Sequence, residues 1–358
     1  MGKVAAAPVS GVADLTTGWL TAALAEHLGG ATVTEVATTS VGTGQVADTY
    51  RLALEYDPPG AGSRTLIAKV PSADATSRAA AQLTRTYEIE ASFYRDLAAD
   101  LPVRVPRCYY QDHDPATDDY VVLLEDVAPA EQGDQLAGCT GGQIEGAIDE
   151  LAHLHGARWG DPALRELDWL HRSTPDGVDQ LIALITGCAG DFHTRFDTRL
   201  APPAVALVDR LVDRLGPYLH RRPEPWTVIH GDFRADNLLF GGAGARVVVV
   251  DWQTVGLGPP AGDLAYLLGT SLSVERRRAI ERDLVGRYTD GVRAHGADVD
   301  DEWLWTEYRR GAFAGLLMAI IASVLVRQTD RGDDMFLVMA ERSAAMAADL
   351  DAASLLPA

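Results

Sequence analysis

The chain has 358 residues, 47% of them hydrophobic, and a formal net charge of -20 at pH 7. Because one hydrophobic core rarely grows beyond about 250–300 residues, this length predicts two domains or lobes in a globular protein. The negative charge argues against nucleic acids and anionic membranes as partners, since both attract clustered Lys and Arg.

The first third of the sequence reads as strands and one helix. Segments 31–41 and 49–56 alternate apolar and polar residues, and "GTG" separates them. A third apolar segment, 65–70, ends near Lys69. Alternation of this kind predicts β-strands, and the Ala-, Leu-, Arg- and Glu-rich segment 76–99 predicts a helix.

The next segment predicts a hairpin, and after it the sequence pattern changes from strands to helices. We expect a strand near Cys108, a turn at 114–119 and a strand at 120–125. After Val127 the sequence becomes helical, beginning with a capping-box pattern in "TGGQ" ahead of "IEGAIDELAHLHGARW". We therefore place an N-terminal domain at 1–127 and a C-terminal domain at 128–358. Further helices are predicted near 176–187, 203–219, 274–289, 301–327 and 334–350.

Three other features of the sequence bear on the cellular compartment. The apolar segment 311–326 is shorter than the roughly 20 residues that span a membrane, and charges flank it, so we expect a buried core helix. Cys108, Cys139 and Cys188 are scattered with no CxxC pair, which predicts reduced thiols. With no sustained apolar segment in residues 1–15, we expect no secretory signal and a cytoplasmic protein.

The segments "HGDFRADNLLF" (230–240) and "VVVVDWQ" (247–253) carry the strongest chemical signal. Asp232 precedes Asn237 by five residues, and Asp251 ends an apolar strand. Phosphoryl transfer needs an oriented acceptor and a few hard oxygen ligands for Mg²⁺. Asp232 could orient the acceptor hydroxyl, while Asn237 and Asp251 could bind the metal. The alternative is that these side chains only form turns and cap a strand.

The motif "HGDFRADN", followed by a strand and "DW", resembles the aminoglycoside phosphotransferase and choline kinase-like family, and its surroundings resemble the ecdysteroid-kinase-like branch and related bacterial phosphotransferases. The resemblance covers about residues 30–350. It implies an α+β, bilobal protein-kinase-like fold, with an antiparallel N-terminal sheet, one main helix and a larger helical lobe. It also implies ATP and Mg²⁺ as cofactors, Asp232 as catalytic base, Asn237 and Asp251 as Mg²⁺ ligands, and His230 as a support of the loop.

The same resemblance implies a nucleotide site in the N-terminal lobe. Lys69 in "LIAKV" occupies the place of the lysine that pairs the α- and β-phosphates. Glu88 and Glu90 stand two residues apart, so they cannot share a helix face. Glu90 is preferred as the partner of Lys69, because members of the family tend to show Glu, two residues and then Phe-Tyr, and "EASFY" matches that pattern. Gly42 and Gly44 in "SVGTGQV" allow the backbone to approach phosphates, although a lone GxG also suits an ordinary hairpin turn.

Two further expectations concern the hinge, which is the connection between the two lobes after "VVLL", and the segment after Asp251. Backbone groups near Glu125 and Val127, after "VVLL", are expected to read the adenine edge, with no specific side chain there. Asp263 is expected to cap the helix "LAYLLGT". The segment between Asp251 and that helix is short and lacks the activation loop of a protein kinase, which favours a small-molecule acceptor.

The sequence leaves the acceptor open. An aminoglycoside or other antibiotic, a nucleoside, an amino alcohol and a sterol-like alcohol all fit the general chemistry. A catalytically silent pseudokinase or scaffold is the main alternative, but it would tend to have lost one of Lys69, Asp232, Asn237 and Asp251. A protein kinase is a weaker alternative, and the oligomeric state cannot be read from the sequence.

Overall fold

The computed structural model describes residues 6–42, 46–172, 174–241, 246–326 and 328–357. The chain divides into two compact units. The first comprises Met1–Asp100, Val105–Pro129 and Asp251–Gln253; the second comprises Leu101–Arg104, Ala130–Val250 and Thr254–Ala358.

The first unit is built on a five-stranded antiparallel sheet, in which the first, second, third, fifth and fourth strands of the chain lie side by side in that order. The predicted alternation is confirmed in the second strand, where Leu52, Leu54 and Tyr56 are buried on one face. The predicted hairpin is also confirmed. The strands are β1 (Thr32–Ser40), β2 (Ala47–Asp57), β3 (Thr65–Pro71), β4 (Cys108–Asp114) and β5 (Asp119–Glu125).

The helices of this unit differ from the prediction in two respects, because two short helices before the sheet were not predicted and the predicted helix over 76–99 is divided. They are α1 (Thr17–Ala23), α2 (Ala25–Leu28), α3 (Ala75–Thr84) and α4 (Thr86–Asp96). The prediction of one continuous helix over 76–99 is wrong, because Arg85 adopts a left-handed conformation (φ 56°) that ends α3 and starts α4. The Arg85 guanidinium then pairs with Glu88 in the first turn of α4. The α4 helix buries most of its residues, including Glu90 and Phe93.

The second unit is largely helical, as predicted. The capping box is confirmed, since Thr140 and Gln143 exchange side-chain-to-backbone hydrogen bonds. The predicted stretches 203–219 and 301–327 are each divided into two helices. The helices are α5 (Gly141–Gly156), α6 (Pro175–Phe196), α7 (Pro202–Asp213), α8 (Leu215–His220), α9 (Ala261–Ser271), α10 (Val274–Ala294), α11 (Asp301–Arg310), α12 (Ala314–Leu325) and α13 (Asp330–Asp349).

Short strands flank the segment that carries the motif "HGDFRADN". They are β6 (Glu131–Gln132), β7 (His171–Arg172), β8 (Thr227–Ile229), β9 (Leu238–Phe240), β10 (Val248–Val249) and β11 (Gly256–Gly258). One sheet has the order β10-β9-β6 and the other β7-β11-β8. Residues 230–237 therefore form the loop from β8 to β9, which we call the catalytic loop.

The apolar segment near residue 311 belongs to the core of the second unit. The helical stretch Asp301–Leu325 is long and apolar enough to cross a membrane by length and composition, but 56% of its most apolar window is buried inside the protein. Leu316, Ala319 and Ile320 of α12 are fully or almost fully buried. This burial agrees with the predicted core helix.

Candidate active site

In the first unit, Lys69 lies between two carboxylates. Its Nζ is 2.7 Å from Glu90 Oε1 and 2.7 Å from Asp251 Oδ1. Burial alone would lower the pKa of Lys69, but the Asp251 and Glu90 carboxylates outweigh it and raise that pKa above its ordinary value. Lys69 is therefore a permanent cation, which suits binding of phosphate oxygens.

Aromatic side chains fix the acids around Lys69. The Tyr120 hydroxyl donates to Glu90 Oε2 at 2.6 Å, and the backbone N–H of Trp252 donates to Glu90 Oε1 at 3.3 Å. The Trp252 ring stacks on Phe93 with centroids 4.0 Å apart. Asp251 has a left-handed backbone (φ 69°), which is costly for a residue other than glycine. Packing of the next residue thus holds Asp251 in place.

The two acids of α4 have different environments. Glu90 is buried against Lys69, whereas Glu88 forms an i,i+3 pair with Arg85 at the surface. This arrangement agrees with the choice of Glu90 as the partner of Lys69.

Replacing Glu90 with Gln is expected to lower kcat/KM for the nucleotide by about tenfold or more. Removing the charge weakens the hold on Lys69, and a hydrogen bond between charged groups contributes about 1.5–3 kcal/mol. The matched control is Glu88→Gln, which breaks only an exposed pair worth at most about 1 kcal/mol. Steady-state kinetics with varied nucleotide would measure both. Equal losses in the two variants would contradict the assignment of Glu90.

The predicted glycine turn is only partly described. Gly42 lies just after β1 in a left-handed conformation (φ 73°), with open space where a Cβ would be. Such a backbone is strained for any other residue. Gly44 lies outside the described residues, so its predicted role stays a prediction.

The two predicted hinge residues, Glu125 and Val127, lie at and just after the end of β5, and their hydrogen bonds differ. The Glu125 carboxylate accepts from the Arg107 backbone N–H, and the Glu125 N–H donates to the Arg107 carbonyl. Asp126 is not simply solvated, because it is paired with Arg51 at 2.8 Å. No backbone hydrogen bond joins Val127 to another described residue. Of the two predicted hinge residues, Val127 is thus the better candidate for reading an adenine edge.

In the second unit, several donors hold the Asp232 carboxylate. Tyr266 OH donates to Oδ1 at 2.7 Å, Arg234 Nε approaches both oxygens at 3.1 and 3.3 Å, and Asn237 Nδ2 donates to Oδ2 at 2.8 Å. Burial alone would lower the pKa of Arg234, but Asp232, Tyr266 and Asp236 raise it. The carboxylate is therefore held in one orientation.

The Asn237 amide is oriented by the same contacts. Its Nδ2 donates to both the backbone oxygen and Oδ2 of Asp232, each at 2.8 Å. Because both partners are acceptors, this end of the amide must be the NH₂ group, and the other end is the carbonyl oxygen. A carbonyl oxygen fixed in this way is a hard ligand of the kind that Mg²⁺ prefers. The Asp251 carboxylate, in the first unit, supplies the same type of ligand.

The backbone of the catalytic loop is held by Asp263. Its carboxylate accepts from the N–H groups of His230 at 2.6 Å and Gly231 at 3.1 Å, and His155 Nε2 lies 3.4 Å away. The prediction that Asp263 caps a helix is wrong. It lies inside α9, whose N-cap residue is Pro260.

His230 supports the loop, as the resemblance implies. Its ring is buried, with Nδ1 accepting from the Asp232 N–H at 3.2 Å and Nε2 lying 3.1 Å from the Val250 carbonyl. Gly231 has φ 80°, and a Cβ there would lie 2.6 Å from the Thr254 oxygen. Only glycine fits this close approach.

Sequence reasoning missed Arg234, Tyr266 and Tyr120 as neighbours of the predicted site residues. Arg234 stands two residues after Asp232 inside the motif, so the spacing could have indicated it. Tyr266 and Tyr120 come from distant elements, and no local pattern distinguishes them from core tyrosines.

Comparison with solved structures identifies the fold. An ethanolamine kinase from Plasmodium vivax has a TM-score of 0.55 at 12% identity, with 89% of this chain and 83% of that chain covered. A Ralstonia eutropha protein assigned to the aminoglycoside phosphotransferases has a TM-score of 0.57 at 19% identity, covering 93% and 98%. The GDP complex of aminoglycoside 2'-phosphotransferase-IIIa has a TM-score of 0.54 at 15% identity, covering 92% and 99%. The predicted protein-kinase-like fold is confirmed.

The fold and the family comparison together define a phosphotransferase. The model of the phosphotransferase enzyme family (APH) matches residues 38–300, and the chain belongs to that family. Acyl-CoA dehydrogenase family member 10 of Mus musculus is 41% identical over 64 residues. Those residues are 18% of this chain and only 6% of the mouse protein's length.

Proposed function

We propose that this chain transfers the γ-phosphate of ATP to a hydroxyl group of a small molecule in the cytoplasm. The observation that carries the proposal is the buried Lys69, paired at 2.7 Å with both Glu90 and Asp251. Burying a lysine with two acids costs hydration free energy, and apolar residues in their place would often be equally stable, so stability alone does not explain this group. A silent binding module would have little reason to keep this group together with an oriented Asp232.

In the first unit, Lys69 would neutralise the α- and β-phosphates, and Glu90 would hold it in place. The backbone at Gly42 and Gly44 would approach the phosphates, and the backbone of Val127 would read the adenine edge. Asp251 and Asn237 are the proposed Mg²⁺ ligands, each argued from its own unit. When bound, Mg²⁺ neutralises charge on the β- and γ-phosphates.

In the second unit, Asp232 would accept a hydrogen bond from the acceptor hydroxyl and take its proton as the hydroxyl oxygen bonds to phosphorus and ADP leaves. Carboxylate oxygens can each accept more than one hydrogen bond. The bonds from Tyr266, Arg234 and Asn237 therefore leave acceptor capacity on Asp232. Because its orientation is set before the substrate arrives, little reorganisation is needed during transfer.

The acceptor is proposed to be small. The segment from Asp251 to α9 contains only a 3-10 turn (Trp252–Thr254) and β11 before the helix begins at Ala261. A peptide acceptor would call for a longer activation segment here. We propose no nucleic-acid or membrane partner, in keeping with the net charge of -20.

The decisive experiment is ADP release from Mg-ATP across a library of hydroxylated compounds. The library spans aminoglycosides, macrolides, nucleosides, sugars, amino alcohols and sterols, with Mg-GTP as a second donor. The Asp232→Asn variant is run beside the wild type. We expect one compound class to stimulate ADP release by the wild type only. Nucleotide binding with no stimulation by any class would favour a binding-only role instead.

A further inference from the structure

The α9 helix holds the catalytic loop at three points. Asp263, near its start, accepts from the backbone N–H groups of His230 and Gly231. Ser271, at its end, accepts from the Ala235 N–H at 3.0 Å. Between them, Tyr266 OH reaches the Asp232 carboxylate at 2.7 Å. One buried helix thus contacts the backbone of the loop at both ends and the Asp232 side chain in the middle.

The Tyr266 contact differs in kind from the other contacts of the Asp232 carboxylate. Arg234 and Asn237 are two and five residues away in the same loop, so they move with it. Tyr266 lies on a helix whose residues are almost all buried. Its hydrogen bond therefore ties the carboxylate to the core of the second unit.

We propose that Tyr266 is a positioning residue, which fixes the orientation of the Asp232 carboxylate toward the acceptor hydroxyl. This inference rests on the proposed catalytic role of Asp232. The contact is geometrically well defined, since Tyr266 is only 3% exposed and its ring lies in the close-packed interior of the second unit.

The chemistry of the phenol supports this role. Burial and the nearby Asp232 carboxylate raise the pKa of Tyr266 well above its ordinary value. The hydroxyl therefore stays protonated throughout the range in which enzymes work, and it can only donate to the carboxylate. A permanent donor on Oδ1 restricts rotation of the carboxylate and orients its remaining acceptor sites.

The test is Tyr266→Phe, which removes the hydroxyl and keeps the ring. We expect kcat to fall about tenfold to a hundredfold, because a hydrogen bond to a charged group is lost. The KM values for ATP and for the acceptor are expected to stay within about twofold, since the Tyr266 hydroxyl is bonded to Asp232 and its side chain is buried in the second unit. The acceptor used is the library compound with the highest ADP release, or water where no compound stimulates.

The matched control is Tyr308→Phe. Tyr308 is also fully buried in the second unit, and its hydroxyl also donates to a carboxylate, Glu281 Oε1, at 2.9 Å. The control removes the same type of bond away from the catalytic loop, and we expect its kcat to stay within about twofold of the wild type. Assays run well below the melting temperature of every variant.

A double-mutant cycle with Asp232→Asn separates positioning from loss of folded enzyme. If Tyr266 acts through Asp232, adding Tyr266→Phe to Asp232→Asn should change kcat by less than about twofold. Equal losses in both backgrounds would overturn the proposal, and so would a Tyr266→Phe variant as active as the Tyr308→Phe control. A fully active Asp232→Asn variant would instead overturn the proposed function on which the inference rests.

Discussion

Replacing Asp232 with Asn is expected to lower kcat by about 10²–10⁴-fold, the usual contribution of a positioned acid or base. The amide cannot take the proton of the acceptor hydroxyl. It would also present an NH₂ group to some of the donors that now surround the carboxylate, Tyr266, Arg234 and Asn237. Nucleotide affinity should change by less than about twofold, because the proposed phosphate-binding lysine is held by Glu90 and Asp251. Steady-state kinetics and nucleotide titration calorimetry would measure the two quantities.

Asp236→Asn is the matched control for this change. Asp236 lies in the same loop, where it accepts from the Gln135 N–H at 2.8 Å and pairs with Arg234 at 2.8 Å. Its loss should disturb the loop without removing the proposed base, so we expect less than about a tenfold effect on kcat. A parallel loss of nucleotide binding and turnover in Asp232→Asn would show that Asp232 is a structural residue or a metal ligand.

The site residues that the sequence could indicate are those within short motifs. Asp232 and Asn237 stand at a fixed spacing in one loop, and Lys69 ends an apolar strand, so local pattern and family resemblance suffice to select them. The choice between Glu88 and Glu90 also rests on a short motif, because "EASFY" matches the family's pattern of Glu, two residues and then Phe-Tyr at Glu90. The structure buries Glu90 and pairs Glu88 with Arg85.

What the sequence could not indicate depends on contacts between distant segments. Tyr120 is 30 residues from Glu90, and Tyr266 is 34 residues from Asp232. The break at Arg85 is also hidden from the sequence, since no Gly or Pro marks this left-handed residue. Tertiary packing overrides local propensity at such positions.

The wrong prediction that Asp263 caps a helix shows most clearly that local patterns miss contacts between distant segments. The two interpretations of Asp263 predict different effects of a mutation. An Asp near the start of a helix is a common N-cap, and Asn serves almost equally well there. The capping interpretation therefore predicts that Asp263→Asn is tolerated. In the structure, the carboxylate instead accepts from two backbone N–H groups of the catalytic loop, one on each oxygen. An amide has one oxygen, so its NH₂ group would face a backbone N–H.

We expect Asp263→Asn to lower the free energy of unfolding by about 2–4 kcal/mol, because a buried donor is left without an acceptor. The apparent melting temperature should fall by about 2–4 °C per kcal/mol. The matched control is Asp300→Asn. Asp300 is a true N-cap that accepts from the Trp303 N–H at 2.7 Å, so this change should be nearly neutral. Thermal unfolding of both variants beside the wild type measures the difference.

The pKa of Asp263 predicts how the stability difference between the wild type and Asp263→Asn depends on pH. Burial alone would raise the pKa of Asp263, but its hydrogen bonds with the His155 side chain and with the backbone N–H of His230 help to outweigh burial, so that the pKa lies below its ordinary value of 3.8. A lowered pKa contributes stability that is fully present above the unfolded value and is lost as pH falls through the folded one. The gap between wild type and Asp263→Asn should therefore be constant from about pH 6 to 8 and shrink only in acid. Equal melting temperatures for Asp263→Asn and Asp300→Asn at neutral pH would contradict the loop-holding role, because a carboxylate that merely caps a helix is replaceable by an amide.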